Sequence, residues 1–300
     1  MKTPDTKIVV VIALLLAILF PAAAEFLKDY LVYILIFIVS ISIKKLGSEH
    51  LDIKRKEFVL ELVLLNLIGL TTLYIILSHL LISNELYRNA IIIYALMPPA
   101  IGIISLGYLY HVDMKVDMYA EFISYMLAIV MIPVGTYFLL SETIAPVDII
   151  EVLIFLLFVP FIISRAIKKV EIPDNILKTI INLSFGFVVF TIVGFNIDMI
   201  ADNIGDITNI LIMFTILRIG LMLGIYYFLK KRIKHRDAIL FTMFGTMKNG
   251  AAATAIVLML LGPESTVPMA IEVVFFSVTL IIMDFIFKRN DRKISKAQKS

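Results

Sequence analysis

The chain has 300 residues, of which 61% are hydrophobic and 17% are charged, and its mean hydropathy is +1.00. Soluble domains contain about 45–50% apolar and about 25% charged residues, so a single globular core cannot bury this much apolar surface. The composition excludes a soluble enzyme, a secreted disulfide scaffold and a disordered protein, and the lack of cysteine excludes thiolate metal sites. We therefore expect a membrane protein that is solvated by the lipid bilayer.

Ten apolar stretches approach or exceed the length of about 20 residues that a transmembrane helix needs. Their apolar residues are continuous rather than alternating, which favours helices over the strands of a β-barrel. The predicted spans are 8–24, 30–45, 57–82, 89–109, 117–141, 147–164, 178–197, 208–229, 238–261 and 266–287.

Lysine and arginine residues predict the orientation of these spans through the positive-inside rule. Of the 27 cations, 23 lie at the termini or in the even-numbered connectors, while Lys28 and Arg88 lie in odd-numbered connectors. The other two, Arg218 and Lys248, lie within spans. We expect a multi-pass protein of the plasma membrane with both termini in the cytoplasm, including a basic tail at 289–300. The net charge of +3 then reflects membrane topology and does not indicate a nucleic-acid partner.

The first span has an alternative interpretation as a signal peptide. A short basic start and an apolar stretch precede Ala22-Ala23-Ala24, which resembles a small-residue cleavage site. An internal repeat argues against cleavage, because it gives the first span a counterpart in the second half of the chain.

This repeat has a period of 150 residues, so that spans two to five superimpose on spans seven to ten. We predict one five-helix unit at 1–146 and a second at 147–288. Because five is an odd number, the second unit is inverted relative to the first. Inverted repeats are typical of transporters, whose sites lie near the membrane midplane where interrupted helices meet.

Spans four and nine carry the residues that predict such interruptions. Proline removes a backbone donor and clashes with the preceding turn, and glycine lets backbones approach closely. The second half of each helix then begins near the midplane, where its N-terminal dipole end can bind an anion. The predicted substrate-binding residues are Pro98, Pro99, Ala100, Gly102, Gly245, Lys248, Asn249 and Gly250.

Charged residues within spans are costly to insert and commonly functional. We predict that Lys248 pairs with Glu121 or Glu272, which are repeat mates within one residue, and that the pair exchanges a proton during transport. Arg218 either neutralises Glu272 or faces the substrate. A purely structural ion pair is the alternative for each of these charges.

The sequence predicts neither a metal site nor an intramembrane enzyme. No two of the four histidines have metal-ligand spacing on one face. The helical His-Glu-x-x-His of a metalloprotease and the paired mid-span aspartates of an aspartyl protease do not occur. We assign no catalytic residue and no cofactor.

The run from Phe244 to Ala253, followed by Gly262-Pro263-Glu264 and Pro268, resembles the bile acid:sodium symporter family. The resemblance implies ten spans in two inverted repeats, with helices four and nine unwound and crossing. It also implies that spans three to five and eight to ten form a core that moves against a panel of spans one, two, six and seven. The auxin-efflux-type carriers share this fold and are an alternative.

The chain departs from this family at the residues that would hold sodium. Phe244, Thr246 and Lys248 stand where the family has Glu, Gly and Gln, and only Asn249 is retained. In span four, Ile103 and Ile104 replace polar ligands. We therefore expect no sodium site and expect proton coupling or uniport.

The predicted function is secondary transport of a small organic anion by alternating access. A sensor that does not transport is the alternative of a different class.

Overall fold

The computed structural model describes residues 6–44, 55–100, 102–140, 147, 151–152, 155, 159–167, 170, 172–202 and 204–297. Within these ranges the chain is helical and contains no β-strand, which confirms the all-helical class predicted from the continuous apolar runs. Much of the predicted sixth span, 147–164, and the predicted end of the first repeat at residue 146 lie outside the described residues.

The helices are named here in chain order. They are α1 (Thr6–Leu19), α2 (Pro21–Leu27), α3 (Leu31–Lys44), α4 (Lys56–Leu81), α5 (Glu85–Leu96), α6 (Gly102–Leu109), α7 (Met114–Leu140), α8 (Val159–Ala166), α9 (Asp174–Phe195), α10 (Ile197–Asp202), α11 (Ile204–Leu229), α12 (His235–Phe244), α13 (Gly250–Leu261) and α14 (Val267–Ala297). A 3₁₀ turn at Lys28–Tyr30 joins α2 to α3, and another at Pro263–Thr266 precedes α14. Two of the helices contain a π-helical segment, Leu65–Leu70 in α4 and Thr215–Gly220 in α11.

Five helical stretches in the described residues are long and apolar enough to cross a membrane, and a sixth is possible if a bent pair counts as one span. The five stretches are Lys56–Leu81, Met114–Leu140, Asn175–Phe195, Ile204–Leu229 and Pro263–Asn290. Many large apolar side chains on these helices are exposed, including Leu80 and Phe138, as expected for a surface that faces lipid. The chain is therefore a multi-pass membrane protein.

The first two predicted spans form the bent pair. Helix α1 ends at Leu19, Phe20 is not helical, and Pro21 begins the next helix, whose axis is bent by 103°. Proline favours the first position of a helix, where its missing N–H costs nothing. The predicted end of the first span at Ala24 is therefore wrong, because the helix stops before Pro21.

Two separate apolar clusters form the core, and polar residues lie at the boundary between them. One cluster contains α5 and α13, and the other contains α6 and α12, so each cluster receives one half of each interrupted helix. Helices α4, α7, α11 and α14 run through both clusters. The buried polar side chains Asn66, Glu121, Arg218 and Lys248 lie near the points where these elements leave one cluster and enter the other.

Candidate functional site

The first interruption separates α5 from α6. Helix α5 ends at Leu96, and Met97 has the extended backbone (φ −65°, ψ 150°) that is favoured before a proline. Pro98, Pro99 and Ala100 continue without helical structure and are buried. The interruption predicted from the two prolines is therefore present.

The second interruption separates α12 from α13. Helix α12 ends at Phe244, and residues 245–249 are not helical. Asn249 starts the next helix as its N-cap, because its side-chain oxygen accepts a hydrogen bond from the backbone N–H of Ala252 at 3.0 Å. Gly245 is buried so tightly that a Cβ there would lie 2.6 Å from Ile225 Cδ1.

The two interruptions are in direct contact. The backbone N–H of Asn249 donates to the carbonyl oxygen of Pro98 at 2.9 Å. Tyr125 of α7 bridges the same two segments, since its hydroxyl donates to the Pro99 carbonyl at 3.2 Å and accepts from Asn249 Nδ2 at 2.7 Å. Because buried backbone groups need partners, these bonds replace part of what each broken helix lost.

Lys248 holds the first interruption against α4. Its side chain is fully buried, and its ammonium donates to the Asn66 carbonyl, the Thr71 hydroxyl and the Met97 carbonyl, each at 2.9 Å. An ammonium has three donors, so all of them are used. The carbonyl of Met97 follows the C-terminal end of α5, where the helix dipole favours a cation.

The predicted ion pair of Lys248 with Glu121 or Glu272 is therefore wrong. Within the described residues neither carboxylate lies at ion-pair distance from the ammonium. The physical reason is that the oxygen atoms of an interrupted helix and of a neighbouring π-helical segment already surround the ammonium. These acceptors are mostly backbone atoms, which residue identity does not reveal.

Arg218 forms the ion pair that the sequence offered as one of its alternatives. Arg218 and Glu272 are both buried, and a guanidinium nitrogen contacts Glu272 Oε1. The same guanidinium donates to the Tyr94 hydroxyl at 2.6 Å and to the Thr246 carbonyl at 3.0 Å. The Tyr94 hydroxyl donates in turn to Glu272 Oε1 at 3.1 Å. Since Thr246 lies in the second interruption, both buried cations bind carbonyl groups at an interruption.

Glu272 also covers the start of α13. Its Oε2 lies so near Gly250 that a Cβ on this glycine would be 2.2 Å away from it. A carboxylate at a helix N-terminus is stabilised by the positive end of the helix dipole. The second interruption therefore already holds an anion, and that anion belongs to the protein.

Gly102, the first residue of α6, differs from the other predicted binding residues. Pro98, Pro99, Ala100, Gly245, Lys248, Asn249 and Gly250 are all buried, whereas Gly102 is exposed. Apart from its chain neighbours and its own helix backbone, the nearest described atom to a Cβ built on Gly102 is Phe276 Cζ, at 3.9 Å. The N-terminal end of α6 is therefore open where that of α13 is covered.

Asn66 has a larger role than the helix–helix hydrogen bond expected of a polar residue in a span. Its Nδ2 donates to the carbonyls of Phe244 and Met247, at 2.7 Å and 3.0 Å. Thr71, one turn further along α4, donates to the Ala95 carbonyl at 2.8 Å. No role was predicted for Thr71, Tyr94 or Tyr125. The signal available was the position of Thr71, a second polar residue five positions after Asn66 and close to Gly69.

Glu121 is fully buried on α7, where it lies apart from Lys248. In the part of the chain that the structure describes, neither of its carboxyl oxygens has a hydrogen-bond partner. The described residues also contain no group of three or more His, Asp or Glu side chains that could hold a metal ion.

Outside the spans, Arg55 joins three connectors at one end of the molecule. It donates two hydrogen bonds to Asp237, at 2.9 Å each, and lies 3.8 Å from Asp113. The hydrogen bonds to the Asp237 carboxylate raise the pKa of the Arg55 guanidinium above its ordinary value.

The sequence matches no protein-family model, and a comparison with curated proteins also finds no match.

Proposed function

We propose that the chain is a ten-span secondary transporter of small organic anions, in which α5–α6 and α12–α13 are the interrupted fourth and ninth spans. The observation that carries the proposal is the contact of the two interruptions through the 2.9 Å hydrogen bond from Asn249 to Pro98. Non-helical backbone at membrane depth is tolerated where it is buried in protein or lines a cavity, and such segments commonly form transporter sites.

Contacts between connectors support the ten-span topology. At one end of the molecule, Arg55 of the second connector forms ion pairs with Asp113 of the fourth connector and Asp237 of the eighth. At the other end, Asn84 contacts Asp206, which joins the third connector to the seventh. In a chain that crosses the membrane with every span, connectors of the same parity lie on the same side. Contacts between connectors of the same parity support this topology.

The π-helical segments support the inverted repeat. Their first residues, Leu65 and Thr215, are 150 positions apart, which is the period predicted from the sequence. Each segment lies in the helix that supplies a side chain to the second interruption, Asn66 from α4 and Arg218 from α11.

The packing supports a division into core and panel. Helices α1, α2, α3, α8 and α9 pack mainly against one another, and they correspond to spans one, two, six and seven. Helices α4 to α7 and α11 to α14 contain both interruptions and the buried charges. Alternating access would move this second group against the first.

The open end of α6 is the place that we propose for the substrate carboxylate. In the second half of the chain, the Glu272 carboxylate rests on Gly250 at the start of α13. In the first half no carboxylate of the protein contacts Gly102 within the described residues. A substrate anion at Gly102 would face the start of α6 as the Glu272 carboxylate faces the start of α13, with the same stabilisation by the helix dipole.

Lys248 takes the role of a resident cation in this proposal, instead of contacting the substrate. Its ammonium already occupies three oxygen ligands that could otherwise hold a sodium ion. We therefore propose that transport is independent of sodium.

The test is a thermal-shift screen of the purified chain against short mono- and dicarboxylates, with and without sodium, at an acidic and an alkaline pH. Gly102→Val is the test variant, and Gly205→Val, at an open position in the first turn of α11, is the matched control. We expect a carboxylate to raise the unfolding temperature of the wild type and the control, without sodium, and not that of Gly102→Val. A screen in which no carboxylate shifts the wild type contradicts the proposal.

A further inference from the structure

Helix α7 carries a buried polar face that the anion site does not use. Asp117, Glu121 and Ser124 are fully buried, and Tyr125 follows them at 8% exposure. Residues three and four positions apart lie side by side on a helix, so these side chains form one row. The row runs from the Asp117 end of the helix to Tyr125, which contacts both interruptions.

The first three side chains of this row have no partner among the described residues. All four carboxyl oxygens of Asp117 and Glu121 are buried without a hydrogen bond, and so is the hydroxyl of Ser124. Ser124 lies one turn beyond Glu121 on the same face of the helix. Three neighbouring buried polar groups without hydrogen-bond partners indicate a ligand that supplies a proton or a hydrogen bond.

The corresponding carboxylate in the second half of the chain has both a cation and a hydrogen-bond donor as partners. Glu272 lies 151 positions after Glu121 and binds both Arg218 and Tyr94. The position 150 residues before Arg218 is Ile68, which is 56% exposed and cannot supply a charge. The first half therefore contains the carboxylate of this arrangement without its cation.

Within the described residues, the elements that pack most extensively against α7 provide no other counter-charge for Glu121. These are the first turns of α4, together with α5 and α6. Their titratable side chains are Lys56, Glu57, Glu61, Glu85, Tyr87, Arg88, Tyr94 and Tyr108. Lys56, Glu57, Glu61, Glu85 and Tyr108 are exposed. The Tyr94 hydroxyl accepts a hydrogen bond from Arg218, and Arg88 donates to the Ile82 carbonyl. Tyr87 lies in the first turn of α5, far along that helix from Tyr94. The second interruption also contacts α7, through Asn249 and Tyr125, but the ammonium of its Lys248 gives all three donors to other groups. Among the described residues of α7, Asp117 and Tyr125 are the titratable groups on the same face as Glu121.

We propose that Asp117 and Glu121 form the binding site for the proton that is coupled to transport. A buried carboxylate without a cation or a hydrogen bond is strongly disfavoured, and two of them one turn apart cannot both be ionised. One of the two carboxyl groups therefore stays protonated throughout. The other takes a proton from hydronium in the aqueous phase, which forms its O–H bond and leaves a water molecule. On the other side of the cycle this O–H bond breaks and the proton passes back to water as hydronium, so that only one of the two groups is then ionised.

Tyr125 links this proton site to the interruptions. It lies one turn after Glu121 and contacts Pro99 and Asn249 through its hydroxyl. A change in charge at Glu121 would therefore act next to a side chain of α7 that bridges both interruptions. The coupling of the proton to an anion rests on the proposed transport function, whereas proton binding itself does not.

The test uses infrared spectroscopy of the purified full chain in a detergent without ester groups. We expect the carbonyl stretching band of a protonated carboxyl group at neutral pH, and we expect it to disappear in the variant Asp117→Asn/Glu121→Gln. The exposed Glu61→Gln is the matched control and should keep the band. Persistence of the band in the double variant overturns the proposal.

The amides have nearly the shape of protonated carboxyl groups, so the double variant should fold as well as the wild type. A double variant that fails to fold would indicate that the carboxylates are charged in the native protein, and this outcome also overturns the proposal. Neither the infrared measurement nor the folding measurement needs a substrate. A result that contradicts the proton site is therefore distinct from a carboxylate screen that contradicts the transport function. The coupling is tested with a carboxylate found in that screen. The wild type should bind this carboxylate more weakly at alkaline pH, whereas the affinity of the double variant should not change with pH. An equal pH dependence of binding in both proteins contradicts the coupling.

Discussion

The two interruptions are built from similar breaks but differ in their charges. The second contains Lys248, receives Arg218 and is covered by Glu272, whereas the first consists of Met97 to Ala100 and has no charged residue of its own. Helix ends carry partial charges that must be balanced when they are buried. Charged residues of the second half balance the partial charges at its own helix ends. Through Lys248 they also balance the partial negative charge of the Met97 carbonyl, which follows α5. The charges of the second half therefore cover its own helix end, whereas the end of α6 at Gly102, which we propose as the anion site, is not covered in this way.

Replacement of Arg218 should have the largest effect on stability. Arg218→Met leaves the Glu272 carboxylate buried without its cation, which we expect to cost about 3–5 kcal/mol because an uncompensated buried charge remains. The measurement is chemical or thermal unfolding of the purified protein. The double variant Arg218→Met/Glu272→Gln should recover much of the loss, since it removes both charges.

The exposed Arg236 provides the control for this experiment. Arg236→Met should change the free energy of unfolding by less than about 0.5 kcal/mol, as is usual at the surface. Equal losses in Arg218→Met and Arg236→Met, or no recovery in the double variant, would mean that the Arg218–Glu272 pair does not stabilise the second interruption.

Replacement of Lys248 should have the next largest effect and tests its role as a resident cation. Lys248→Ala leaves three buried acceptors without their donor, at a cost of at least about 2 kcal/mol, and should abolish carboxylate uptake into proteoliposomes. Because the oxygens remain, sodium chloride should raise the unfolding temperature of this variant more than choline chloride does. The wild type should show no difference between the two salts. Undiminished uptake by the variant would remove Lys248 from the mechanism.

The glycines that begin α6 and α13 test the asymmetry directly. Gly250→Ala places a methyl group 2.2 Å from Glu272 Oε2, and we expect a loss of about 1–3 kcal/mol as the carboxylate is displaced. In Gly102→Ala the new methyl group would lie 3.9 Å from Phe276 Cζ, which is an ordinary van der Waals contact, so this variant should be nearly neutral in stability. Both are measured by thermal unfolding under the same conditions. Equal losses would contradict the difference between an open and a covered helix end.

Strong local signals made the helices and their interruptions predictable. Composition alone predicts a helical membrane protein, and Pro98-Pro99 and the glycines around Lys248 mark where two helices must stop. The pairing of Arg218 with Glu272 was one of the predicted alternatives, because a charged side chain in an apolar span is costly unless an opposite charge compensates it.

The partners of Lys248 and the polar row on α7 were harder to predict for physical reasons. Two of the three acceptors of Lys248 are backbone carbonyls, which every residue possesses, and the π-helical segment that presents Asn66 has no sequence signature. Tyr125 was missed because an aromatic residue in a span is usually part of the apolar core. The end of the first helix at Leu19 was missed because hydropathy does not distinguish a continuous span from two helices joined at Pro21.

Removal of the Tyr125 hydroxyl should have the smallest effect and shows whether the two interruptions act as one unit. Tyr125→Phe loses one bond to Pro99 and one from Asn249, so we expect a loss of about 1 kcal/mol, while Tyr137→Phe, on the same helix and 48% exposed, should be neutral. In a double-mutant cycle with Asn249→Ala, measured by chemical unfolding, the losses should not add, because both variants break the same bond. Strict additivity would show that Tyr125 and Asn249 stabilise the protein separately. The difference between the halves would then concern each helix end alone, without the bridge through α7.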